Sequence, residues 1–254
     1  MHSHAARISL LSLFMGIACA IHHLEAKPVA RIEKQRASFV SGGRRITVET
    51  FAPVGVKRVP AVLVLHSSAG TLVGKGEMER FSRALAAQGQ VAFLVHYFDR
   101  TGTTFANDNE IKRFTAAWLE TVRASVDFAA AHPRVRSDSI GLFGYSLGAY
   151  LAVAEASFDP RIDAVAEIAG GIFAGFEGRM RRMPPTLILH GTADERVRLS
   201  EAYEVRRAGR HFGSAVEIKL YPGEGHRLSR AASADASRRA LQFLGRHLTA
   251  RTRR

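Results

Sequence analysis

Ser139-Ile140-Gly141-Leu142-Phe143-Gly144-Tyr145-Ser146-Leu147-Gly148 is the stretch whose reading decides the fold. Its first half, Ser139 to Phe143, is a short apolar run typical of a buried strand. Beyond it, apolar and small residues continue at helical spacing to about Ser157. Between the two lies the pentapeptide Gly144-Tyr145-Ser146-Leu147-Gly148. Chance alone places a Gly-x-Ser-x-Gly in roughly one chain in ten of this length, so the setting must carry the weight. A strand running straight into a helix forces a sharp turn that exposes the serine hydroxyl. Gly144 and Gly148 leave room for the close approach this turn demands. The bland alternative is a tight turn in which Ser146 only caps a helix.

Working outward, Arg36–Val40 and Arg45–Phe51 alternate around a Ser41-Gly42-Gly43 turn, which reads as a β-hairpin. Ala61–Leu65, Val91–Val95, Ala164–Ile168, Thr186–Leu189 and Val216–Leu220 are further strand-like runs. Helical spacing covers Glu77–Gln88, Asp108–Ala131, Leu199–Phe212 and Ala231–Leu248. Strands alternating with helices imply an α/β fold, with a mostly parallel central sheet flanked by helices on both faces. The 254 residues suit one such domain, expected over residues 31–250.

A serine hydroxyl needs a base to take its proton. In chain order an acid and then a histidine should follow it, each in a loop after a strand. Asp194 follows Thr186–Leu189, and His226 follows Val216–Leu220 in a Gly-rich loop. Glu195 is a rival acid one residue further along, whereas Asp159 and Asp163 precede a strand. His190 reads as a structural hydrogen-bonder bracing the acid loop, and His211 as a solvated helical residue. Two donors should meet the developing oxyanion. The N–H of Leu147 is one; Ser68 in the His66–Gly70 loop is the choice for the other, with Ser67 close behind.

The segments Leu65–Gly70, Tyr97–Thr103, Gly144–Gly148, His190–Asp194 and Gly225-His226 resemble the dienelactone hydrolase family of the α/β-hydrolases, from about Arg44 to Leu248. The resemblance implies an α/β-hydrolase fold and cleavage of small esters or lactones without a cofactor or metal. Members that open cyclic dienelactones use a cysteine nucleophile, where this chain has Ser146, and an acidic residue in the early loop, where it has Ser67. Both departures point to ordinary esterase chemistry. Two family arginines that hold a substrate carboxylate have counterparts in Arg230, by its spacing from His226, and approximately in Arg100. Phe98, Phe105, Trp118, Phe173 and Phe176 are candidates for lining the pocket. The alternatives are a serine peptidase of oligopeptidase type, or a binding protein on a hydrolase fold that has lost catalysis.

The N-terminal residues carry a different signal. Arg7 precedes an apolar run from Ile8 to Ile21, too short to span a bilayer comfortably. With Ala18-Cys19-Ala20 behind it, residues 1–26 read as a signal peptide cleaved near 20 or 26, implying a periplasmic or secreted enzyme. Cys19 raises a lipoprotein alternative, but Gly16 stands where leucine is usual. It is also the only cysteine, so no disulfide can form within the chain. A net charge of +13, with arginines at 179–182, 206–210 and 251–254, reads as a solvated basic surface. No nucleic-acid-binding module accompanies it.

Overall fold

The computed structural model describes residues 31–249, so the expected signal peptide and the C-terminal arginines lie outside the described residues. The chain opens with strands β1 (Ile32–Ser41) and β2 (Arg44–Pro53), paired antiparallel in full register. Gly42 and Gly43 form the two-residue turn with φ of 49° and 74°. Positive φ at both positions matches the right-handed twist of the strands they join.

The rest alternates: β3 (Val59–Leu65), α1 (Lys75–Ala87), β4 (Val91–Val95), α2 (Asp108–Ala130), β5 (Val135–Tyr145) and α3 (Leu147–Ala156). There follow β6 (Ile162–Ile168), β7 (Thr186–Gly191), α4 (Leu199–His211), β8 (Val216–Tyr221) and α5 (Arg230–Thr249). One sheet of eight strands runs in the order β1-β2-β4-β3-β5-β6-β7-β8. Only the β1/β2 and β2/β4 pairs are antiparallel. This is the expected α/β-hydrolase arrangement, hairpin included.

Successive residues of each strand feed opposite cores, as the two-residue period requires. Leu63, Leu65, Phe93 and Leu142 pack on one face with Trp118 and Val122 of α2, Leu151 of α3 and Val205 of α4. Val62, Val64, Leu94 and Phe143 pack on the other with Leu85 of α1 and with α5. The α5 contribution is a small-residue stripe at Ala232, Ala236 and Ala240, one per helical turn, which brings the helix close to the sheet. The α2 helix is fixed at its start by a reciprocal cap between Asn107 and Glu110. No helix among the described residues is long and apolar enough to cross a membrane.

The topology also locates a crevice. From β3 the chain goes to β4 on one side, then crosses to β5 on the other. Ligands of open α/β sheets bind beyond the carboxyl ends of the strands at such a reversal. Leu65 and Gly144 are level across that boundary, so the loops after β3 and β5 leave the sheet together.

Candidate active site

Ser146 stands between β5 and α3 with φ 53° and ψ −120°, a conformation unusual for a residue with a side chain. The surroundings hold it there. Its N–H donates to the Ile168 carbonyl at the end of β6 (2.9 Å), and its carbonyl accepts from Ala149 N–H (2.8 Å) to start α3. Any side chain at Gly144 would strike the Gly148 carbonyl, and one at Gly148 would strike the Leu65 carbonyl. Strand and helix are packed as tightly as backbone allows.

Loops after β7 and β8 bring the other two residues to this turn. His226 Nε2 lies 3.0 Å from Ser146 Oγ, and His226 Nδ1 lies 2.8 Å from Asp194 Oδ2. A carboxylate only accepts, so Nδ1 carries the proton and Nε2 is left to accept from the serine. Asp194 Oδ1 accepts from the N–H groups of Arg196 (2.9 Å) and Val197 (2.8 Å), which fixes the carboxylate in its turn. The Asp194 side chain is fully buried, whereas that of His226 is 26% exposed and faces the cleft. Glu195 is exposed.

His190 braces the same loop. Its Nε2 donates to the Val197 carbonyl (2.9 Å) and lies 3.6 Å from Asp194 Oδ2. The His226 backbone is held from below, where the Tyr145 hydroxyl donates to its carbonyl (2.8 Å). Tyr145 and His226 rings also stack at 5.6 Å. Tyr145 was not singled out by sequence, being the variable residue of the pentapeptide.

The loop after β3 faces Ser146 across the crevice, with Ser67 and Ser68 both lining it. It is closed by a turn from Gly70 N–H to the Ser67 carbonyl (3.0 Å) and tied down by Ala106 N–H to the Ser68 carbonyl (2.8 Å). His66 is buried against Tyr97 with ring centroids 4.0 Å apart, and its Nδ1 donates to the Ser67 carbonyl. Burial pushes the His66 pKa down to about 4, so the ring is neutral at ordinary pH. Leu147 is the first residue of α3, where a helix leaves its N–H without an intrahelical partner.

Behind the turn sits a second group that sequence reading passed over. Glu167 on β6 is fully buried; its Oε2 accepts from Gly170 N–H (2.7 Å), and its Oε1 has no hydrogen-bond partner among the described residues. Burial raises its pKa to about 8, so it is mostly protonated at neutral pH. A charged residue within the apolar run Ala164–Ile168 was the visible signal.

These residues open onto a cleft of about 1050 Å³ that continues between α1 and α5. Arg230 lines it, and Arg227 beside His226 does too. Arg100 does not. Its Nη1 donates to the Gly42 carbonyl (3.1 Å) and its Nη2 is 3.7 Å from Glu120, so it secures the hairpin turn. Neither do the aromatic candidates line it. Trp118 and Phe98 are buried in the core beside α2, Phe173 and Phe176 pack against that core, and Phe105 is exposed. The cleft lies on the other face of the sheet, lined by Met78, Phe81 and Phe143.

The sequence profile of the dienelactone hydrolase family matches residues 46–248. Rat acyl-coenzyme A thioesterase 1 is 29% identical over 154 residues, covering 58% of this chain and 34% of the relative. The chain thus spans about a third of the length of the curated relatives it matches. A dienelactone hydrolase-like promiscuous phosphotriesterase from metagenomic libraries superposes with a TM-score of 0.73 at 18% identity, covering 85% of this chain and 98% of the other. A dienelactone hydrolase from Anabaena variabilis gives 0.67 at 16% identity, covering 85% and 99%. At such identities the structures speak for the fold alone.

Proposed function

The chain belongs to the dienelactone hydrolase family, and on that premise we propose that it is a serine hydrolase of small carboxylic esters, thioesters or lactones. The observation that carries this reading is the continuous chain Ser146 Oγ, His226, Asp194, with links of 3.0 and 2.8 Å. Thioesters enter because the rat relative, similar over part of its length, is an acyl-coenzyme A thioesterase.

In the proposed reaction His226 Nε2 takes the Ser146 proton as Oγ bonds to the substrate carbonyl carbon. The carbonyl oxygen becomes an oxyanion, met by the N–H groups of Leu147 and Ser68. Asp194 holds the imidazole in the Nδ1–H form and stabilises its positive charge. His226 then gives its proton to the leaving alcohol or thiol, and the carbonyl re-forms as an acyl-serine. Water, deprotonated by His226, attacks that carbonyl, and the acid departs as Ser146 Oγ recovers the proton. Arg230, at the cleft wall, is proposed to meet a negative charge on the substrate.

A fluorophosphonate probe tests the nucleophile. Wild type should gain one adduct on the Ser146 peptide, and Ser146→Ala should gain none and lose at least about 10⁴-fold in kcat on p-nitrophenyl acetate. Equal labelling of the two proteins would defeat the reading. Arg230→Ala should lower the kcat/KM ratio of carboxylate-bearing over neutral esters about tenfold, the size of one charge-assisted hydrogen bond. An unchanged ratio would remove Arg230 from the site.

A further inference from the structure

The cleft does not end at Ser146. It runs on between two helices whose lining residues recur at helical spacing, and it combines charged and apolar surface. On α5 the lining residues are Arg230, Ser233, Ala234, Ser237 and Leu241, a single face of the helix. From Arg230 to Leu241 that face is about 16 Å long at 1.5 Å per residue. Opposite it, α1 contributes Glu77, Met78, Arg80, Phe81 and Ala84. Phe143 and Tyr145 of β5 also line the cleft. Phe81 and Phe143 pack ring to ring at 4.0 Å. Met78, Leu228 and Leu241 are only partly buried, leaving apolar surface open to the cleft.

Charged residues stand on both walls: Glu77 and Arg80 of α1, largely exposed and 4.0 Å apart, and two arginines on the α5 side. Arg227 follows His226 directly and Arg230 comes four residues after it; both are exposed, and among the described residues no carboxylate pairs with either. The apolar part of the lining is Met78, Phe81, Ala84, Phe143 and Leu241, with the Ser233 and Ser237 hydroxyls among them. This division matches the two halves of an ester. The leaving group must sit beside His226 Nε2, which protonates it, and Arg227, the next residue in the chain, lines the same cleft. The acyl chain must point away from the leaving group.

We propose that the α1–α5 cleft is an acyl-chain channel, taking straight apolar chains about as long as octanoyl along Phe81, Phe143 and Leu241, while Arg227 receives an anionic leaving group. The inference rests on the serine-hydrolase reading. It assigns that enzyme a substrate class: esters or thioesters of medium-chain fatty acids with a negatively charged leaving group. Each methylene buried in the channel adds about fourfold to kcat/KM until the chain outgrows it.

The test is a series of p-nitrophenyl esters from acetate to dodecanoate, assayed below their micelle concentrations. Wild type should rise from acetate to a maximum near octanoate and then fall. Ser237→Phe, at a half-buried position facing the channel, should lower the octanoate-to-acetate ratio at least tenfold. Ala84→Leu, from the α1 side, should act in the same direction, and guards against a folding defect in the first variant. Gln242→Trp, exposed on α5 and outside the cleft, should leave the ratio as in wild type. Arg227→Ala should cost an octanoyl thioester of a phosphorylated thiol at least tenfold more than p-nitrophenyl octanoate. A wild-type rate that falls steadily from acetate, or ratios unmoved in both channel variants, would overturn the channel. Equal losses for the charged and neutral leaving groups would overturn the role of Arg227. Acetate hydrolysis that survives Ser146→Ala would instead overturn the serine-hydrolase reading, so the two failures are distinct.

Discussion

Glu167→Gln should change how the stability of this protein depends on pH, by an amount the structure sets. The carboxyl is fully buried, with an ordinary pKa of 4.5 and a folded one of about 8. Its charged form is disfavoured in the fold, so folding takes up a proton wherever the unfolded chain has lost it. Stability therefore falls as pH rises from about 4.5 and levels off above about 8. At 1.36 kcal/mol per pH unit the whole descent is about 5 kcal/mol, of which about 3 kcal/mol lies between pH 5 and 7. Glutamine keeps an oxygen to accept from Gly170 N–H but has no proton to lose. The assay is urea unfolding of both proteins at pH 5, 7 and 9. Taking the difference cancels shared groups such as Glu155, raised to about 7 by burial, and Glu49, lowered to about 2 with Lys34 and Lys75 bonded to it despite its burial. The glutamine variant should gain on wild type by about 3 kcal/mol from pH 5 to 7 and about 4 kcal/mol from pH 5 to 9. Two parallel curves would refute the reasoning, because they would mean that Glu167 ionises in the fold as easily as in water.

Two further substitutions probe the turn and the acid. Asp194→Asn should fold normally, because its Oδ1 can still accept from Arg196 and Val197, yet lower kcat on p-nitrophenyl acetate by about 10⁴-fold through the wrong imidazole tautomer; a loss below tenfold would transfer the role elsewhere. Gly148→Ala should lower stability by about 2–4 kcal/mol in thermal or urea unfolding, since the new methyl has no space against the Leu65 and His66 carbonyls; an unchanged melting temperature would show that strand and helix can part.

What the sequence made legible follows from the range of the forces involved. Strand and helix periods are local, and every element expected from them is present with ends shifted by a few residues. The elbow and the order of Asp194 and His226 were legible for a related reason: each follows a strand end, and parallel strands bring those ends to one edge. Residues whose role depends on facing were not. Arg100 lies in a segment whose neighbours enter the core, and its guanidinium turns to Gly42 of the hairpin, a contact between residues 58 apart. Phe98 and Trp118 were aromatic near the right loops but lie on the α2 face of the sheet. The cleft is on the α1–α5 face, and only the pairing of the whole sheet decides which face the serine opens towards. Tyr145 illustrates the same limit, since nothing local tells that its hydroxyl reaches the carbonyl of a residue 81 positions away.

The turn that carries Ser146 is costly, and the structure shows how the cost is met. A residue with a side chain at φ 53° stores roughly 1–3 kcal/mol, and Ala169, one residue beyond β6, has the same φ. Neither would persist alone. Ser146 is gripped on one side by the β3 end, where the Leu65 and His66 carbonyls press on Gly148. On the other side the Ile168 carbonyl takes its N–H, and Gly170 is packed so closely on Ala149 of α3 that no Cβ fits. The Glu167 carboxyl closes that second grip by binding Gly170 N–H from within β6. A buried acid is an expensive clamp, yet its hydrogen bond holds Gly170 against the first turn of α3. The instability assigned to Glu167 and the strain at Ser146 are thus parts of one arrangement, in which two dense cores supply the stability that the strand ends spend on holding a hydroxyl at the floor of the cleft beside His226.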